Sequence, residues 1–184
     1  SLNCVPDSLV LNSDIPWVDA DGERFVKEGQ LFSWWYAGPS YWAVMSQDVL
    51  DGIAQSGFSS TLYTYAAGNQ GRTLGNVPIP EIYEITEKLV VMGVLLKAET
   101  LEGLAGLMGV PTETFIQTMA DYESYCAAGE DTQFGKDAAK LISLGKGPYY
   151  AMKGYSCTFS TVGGLDIDEN FNVLKADGQT IING

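Results

Sequence analysis

The sequence predicts an α+β fold in which short helices pack on a small mixed or antiparallel sheet. Two observations carry this. Asp21-Gly22 and Asp177-Gly178 each lie between apolar runs, a strong hairpin signal. Between residues 80 and 129, three stretches place apolar side chains at helical spacing and stop at Gly93, Gly109 and Gly129.

In chain order, Leu9 to Asn12 reads as a short strand. Ile15 to Val18 and Arg24 to Val26 form the arms of the first hairpin. Gly29 to Tyr36 holds Phe32, Trp34, Trp35 and Tyr36, a density of rings that forms core or lines an apolar pocket. Tyr41 to Met45 is a buried strand, and Gln47 to Ala54 a short helix stopped near Gly57. Ser59 to Asn76 is irregular and reads as a surface loop or lid. Its glycines do not make a G-x-x-x-x-G-K-[ST] phosphate loop.

Pro80 suits the first turn of a helix carrying Ile82, Ile85 and Leu89. Val94 to Ala98 is the next strand. Thr100 can cap a helix with Leu101, Leu104, Ala105 and Met108 on one face. Thr112 can cap another, with Phe115, Met119, Tyr122 and Cys126 on one face. The polar run 130–140 is a loop entering a short helix. Phe171 to Leu174 pairs with Thr180 to Ile182 across the second hairpin. Asp166, Asp168 and Asn170 mimic the start of a calcium loop. The turn position that must be glycine is Phe171, so no calcium site is expected.

Gly147 to Leu165 contains one charged residue, Lys153, and ends in Thr161, Val162, Gly163 and Gly164 before Leu165. Glycine is favoured where backbone turns sharply or another molecule comes close. The run is therefore a buried strand ending in a glycine bulge, or backbone laid against a ligand or another strand.

Composition narrows the function. With 46% apolar and 18% charged residues, the 184-residue chain is globular, one domain or two small ones. A net charge of −13 disfavours nucleic acid and anionic membrane surfaces. The absence of histidine excludes Ser-His and Cys-His nucleophile pairs and histidine metal sites within the chain. Cys4, Cys126 and Cys157 are too sparse for a disulfide framework or zinc site, and free buried thiols are expected. No apolar run approaches the ~18 residues of a membrane span.

Segments in a fixed order add to this. DGERFVKE (21–28), residues 97–136, GPYYA (147–151), TVGGLDID (161–168) and VLKADGQTI (173–181) resemble the fumarate reductase/flavocytochrome c type of FAD-dependent oxidoreductase. That family also holds 3-ketosteroid dehydrogenases and urocanate reductases. The resemblance implies a substrate-capping region with flanking FAD-domain hairpins. Residues 1–28 would lead in from the FAD domain, 29–150 would form the cap, and 151–184 would return. It also implies FAD in a parent protein, with none expected on this fragment. The partners implied are the missing FAD domain and a small organic substrate. The family's G-x-G-x-x-G and its LYAAGE-like segment are absent, so Ser1 and Gly184 are expected not to be the natural ends.

By the same resemblance Glu28 falls at the glutamate of an RF-x-NE pattern, which in fumarate reductases serves proton delivery with arginines. Lys27 replaces its Asn, and no arginine follows before Arg72. Ser160 stands where the family has a histidine. Thr161, Gly163 and Gly164 match the pattern that borders substrate and flavin. An Arg24–Glu28 ion pair beside a hairpin is the purely structural alternative for Glu28. For the whole chain, the alternative to an oxidoreductase cap is a non-catalytic binding domain with the same fold.

Overall fold

The computed structural model describes residues 5–28, 38–59, 75–155, 166–175 and 177–178. The aromatic cluster 32–36, most of the 59–76 loop, the strand at 180–182, Cys4 and Cys157 lie outside the described residues.

A four-stranded sheet positions everything else. Its strands are β1 (Trp17–Val18), β2 (Ser40–Ser46), β3 (Leu95–Ala98) and β4 (Tyr149–Tyr155), in the order β1-β2-β4-β3. Every pairing is antiparallel. The β2–β4 ladder runs from Ser40↔Tyr155 to Ser46↔Tyr149. Side chains alternate between faces along each strand. Tyr41, Ala43 and Met45 therefore share a face with Gly154, Met152 and Tyr150, while Trp42 and Val44 share the other with Lys153 and Ala151.

Gly154 is required by its partner. The Tyr41 ring lies across it, a Cβ there would overlap the ring, and the Tyr41 hydroxyl donates to Val10 O at 2.9 Å. Trp17 packs on the same ring at a centroid distance of 5.0 Å.

The helices are α1 (Val5–Val10), α2 (Gln47–Ser56), α3 (Ile82–Val91), α4 (Leu101–Met108) and α5 (Thr112–Ala128). The strand expected at Leu9 to Asn12 is instead the end of α1 and the turn after it. Val5 and Leu9, four residues apart, are both fully buried, and that helical face overrides the local strand pattern. Ser46 ends β2 and caps α2, its hydroxyl accepting from Val49 N at 3.3 Å.

α3 buries Ile82, Thr86 and Leu89. Thr100 caps α4 through Gly103 N at 3.2 Å, and Gly109 closes it in the left-handed region. The expected Thr112 cap is not formed. Pro111 is the capping residue, because its carbonyl already accepts from Phe115 N and Thr112 is the first helical residue. Phe115, Met119 and Tyr122 are buried as expected, whereas Cys126 is only half-buried.

The first hairpin turns as expected. Asp19 N bonds Glu23 O at 3.0 Å, and Gly22 has φ 78° where an added Cβ would press on Phe115 of α5. Its second arm is not a strand: one bridge, Val18↔Arg24, is followed by backbone that leaves the ladder. Asp168 spends its carboxylate on a turn of its own, accepting from Asn170 N and Asn172 N at 2.9 Å each. No helix among the described residues is long and apolar enough to cross a membrane.

Candidate functional site

Arg24 holds the hairpin's bridge to Val18, and its side chain is buried. Four charged residues meet there, between the hairpin and the loop after α5: Arg24, Glu28, Asp131 and Lys136, all with fully buried side chains. The Arg24 guanidinium clamps Glu28 through Nε to Oε1 at 2.8 Å and Nη2 to Oε2 at 2.7 Å. It also donates to Asp131, from Nη2 to Oδ2 at 2.9 Å and from Nη1 to Oδ1 at 3.3 Å. Such fork-like contacts fix geometry as well as charge. Glu28 Oε1 accepts from Trp17 N at 3.2 Å, and Lys136 Nζ lies 3.6 Å from Oε2.

Local structure places each partner. Asp131 ends the turn after α5, where it accepts backbone N–H groups from Gln133, Phe134 and Lys136. Lys136 Nζ donates to Tyr122 Oη at 3.2 Å and Ile15 O at 3.4 Å. Rings close the cluster: the Arg24 guanidinium sits 5.2 Å from the centroids of both Tyr122 and Phe134.

Two cations face two carboxylates, so the cluster is neutral. Burial works against the Arg24 charge, but the hydrogen bonds and charges of Glu28 and Asp131 outweigh it and hold its pKa above the ordinary value. Burial likewise raises the Asp131 carboxyl, yet the Arg24 bonds and the local N–H groups bring it down to about 2. Burial lowers the Lys136 ammonium, and Arg24 adds to this, while Glu28 opposes it. The arrangement can do two things. It anchors residue 28 at a fixed point, and it holds a lysine below its ordinary range beside a paired carboxylate.

At the end of the β2–β4 ladder, Lys153 Nζ lies 5.1 Å from the Trp42 ring and 5.7 Å from the Tyr155 ring. This is the end of the ladder from which the chain passes to residues 156–165. Of the site residues expected from sequence, Glu28 is thus in the buried cluster, while Ser160, Thr161, Gly163 and Gly164 lie outside the described residues. Sequence reasoning missed Asp131 and Lys136 and gave Tyr122 only a packing role. Nothing local marks them, since Asp131 is 107 positions from Arg24.

Residues 14–183 match the FAD binding domain family. The chain belongs to that family. Vinyl phenol reductase from Lactiplantibacillus plantarum is 29% identical over 171 residues, which are 90% of this chain and 34% of that protein. NADH:acrylate oxidoreductase from Vibrio harveyi is 32% identical over 174 residues, which are 94% of this chain and 15% of that protein. The chain thus spans about a third or less of the length of these curated relatives. The open conformation of a flavocytochrome c3 fumarate reductase shares the fold, with a TM-score of 0.56 at 23% identity over 93% of this chain and 26% of that one. The resemblance to fumarate reductase-type flavoproteins read from the motifs is borne out.

Whether the described residues could hold the FAD of this family is a question of donors. Pyrophosphate sits on bare N–H groups at a glycine-rich strand-to-helix turn. Here β2 passes to α2 through Ser46 and β3 passes to α4 through Thr100, and both caps are filled by side-chain oxygens. The Arg24 cluster is closed by its own partners. At each of the two strand-to-helix turns a side-chain oxygen already takes one of the N–H groups that a pyrophosphate would use.

Proposed function

We propose that the chain is the substrate-capping region, with its flanking strands, of an FAD-dependent oxidoreductase that reduces or forms an activated C=C bond in a small organic substrate other than fumarate. The observation that carries this is the family match over residues 14–183, in a chain whose described strand-to-helix turns at Ser46 and Thr100 are capped by side-chain oxygens. The FAD domain then belongs to the rest of the parent protein, and the cap shuts out water and shapes the pocket. Flavin, when bound there, supplies the hydride chemistry. Residues 1–28 lead in, 29–150 form the cap and 151–184 return.

Ser160, Thr161, Gly163 and Gly164 border substrate and flavin in this reading. Glu28 takes part in proton delivery, with Arg24 orienting it. The reductase and oxidoreductase names of the relatives support a C=C substrate. A dianion such as fumarate needs cationic partners in a closed site. Ser160 replaces the expected histidine, and no arginine lies between Tyr41 and Asp51. Conjugated compounds such as aryl acrylates or enones fit better.

A non-catalytic binding domain is favoured by one observation: both Glu28 oxygens are already engaged in the buried cluster. The two readings part on the flavin spectrum of the full-length parent. A bound flavin, bleached by a reduced dye and restored by an aryl acrylate or enone, is the expected result. A parent without flavin absorbance supports the binding domain.

A further inference from the structure

We propose that Lys153, set between Trp42 and Tyr155, is the specificity-determining cation that receives the carboxylate of a planar, conjugated monocarboxylate. The inference rests on the cap reading above and names the substrate class of that same site.

The register builds the feature. Trp42 and Lys153 are direct cross-strand partners on β2 and β4, and Tyr155 follows two residues later on the same face. The ammonium therefore has an indole and a phenol within 6 Å, distances at which ring faces attract a cation. Ring faces use none of its three N–H donors as a carboxylate would. Among the described residues, the ion pairs involve Arg24, Lys88 and Lys136, and no carboxylate reaches Lys153. That is notable in a chain with 23 acidic and 10 basic residues.

Lys97 offers a contrast. It lies over one ring, Tyr150, on the other face of the sheet. Lys153 and Tyr155 are exposed and Trp42 half-buried, so a ligand can reach all three. Tyr155 ends β4, and Ser160 and Thr161 follow it in the sequence by five and six positions. The chemistry is selective. One ammonium satisfies one carboxylate through a charge-assisted hydrogen bond. Two flanking rings offer stacking to a conjugated plane. A second carboxylate would find no second cation among these three residues.

The test titrates the 184-residue chain with 3-phenylacrylate and, separately, with its neutral amide, following backbone amide resonances. The acid should bind about tenfold tighter than the amide, the effect of one charge-assisted hydrogen bond. The shifts should centre on Trp42, Lys153 and Tyr155. Lys153→Met should abolish the preference and Lys153→Arg should keep it. Trp42→Leu should weaken both ligands together. Equal binding of acid and amide, no saturable binding, shifts centred elsewhere, or an unchanged preference in Lys153→Met would each overturn the proposal. The titration needs neither flavin nor turnover, so its failure is distinct from failure of the proposed reaction.

Discussion

Arg24 Nη2 lies 2.9 Å from Asp131 Oδ2, although the two residues are 107 positions apart. This contact ties the first hairpin to the loop after α5, and the Arg24 clamp on Glu28 extends the tie to residue 28. Buried ion clusters are costly to assemble, and breaking one is costlier still because a charge is left without its partner.

Arg24→Met leaves two buried carboxylates facing Lys136 alone. It should lower unfolding stability by about 3–5 kcal/mol. Adding Asp131→Asn restores neutrality, so the double variant should recover part of that loss. Urea unfolding of the four members of the cycle measures it. Simple additivity of the two single effects would mean that the pair is not coupled.

The Asp131 carboxyl, at about 2 against an ordinary value of 3.8, makes the tie sensitive to acid. Its folded pKa lies below its unfolded one. Its contribution is therefore fully present above the unfolded value and is lost as pH falls through the folded one. The stability gap between the wild-type chain and Asp131→Asn should hold at about pH 5 and shrink steadily from about pH 4 to about pH 2. Urea midpoints of both proteins across that range check it. A gap that does not change with pH would remove Asp131 as the group responsible.

Much of the fold was legible because its signals are local. Gly93, Gly109 and Gly129 stop helices, Thr100 caps one, and Asp21-Gly22 turns the first hairpin. The errors arose where tertiary burial outweighs local pattern. Leu9 looks like part of a strand until Val5 and Leu9 are seen to share a buried helical face. Phe25 and Val26 look like strand residues, but pairing of the second arm stops at Arg24, whose side chain is drawn into the buried ion cluster. In the candidate site, the Arg24–Glu28 ion pair was legible from the sequence, but Asp131 and Lys136 were not. They lie in a polar run that reads as an ordinary loop, and only long-range contact gives them meaning. Lys153 stood out as the lone charge of its stretch, whereas its ring partner Trp42 depends on strand register.

The side-chain-filled caps at Ser46 and Thr100 carry a prediction for the cofactor. The 184-residue chain should be colourless and should not bind FAD. Flavin fluorescence quenching on titration reads this directly. Saturable quenching with a Kd of about 1 μM or tighter, equivalent to about 8 kcal/mol of binding, would show a flavin site within this chain.

The central claim is that the cap serves a flavin enzyme acting on a conjugated C=C substrate other than fumarate. Its most direct test is the steady-state oxidation of a reduced dye by the FAD-loaded full-length parent, with fumarate compared against aryl acrylates and enones. The account predicts turnover with at least one of the conjugated compounds and little with fumarate. Fumarate turnover in the ordinary enzyme range of about 10–1000 per second, with none for the conjugated panel, would contradict it.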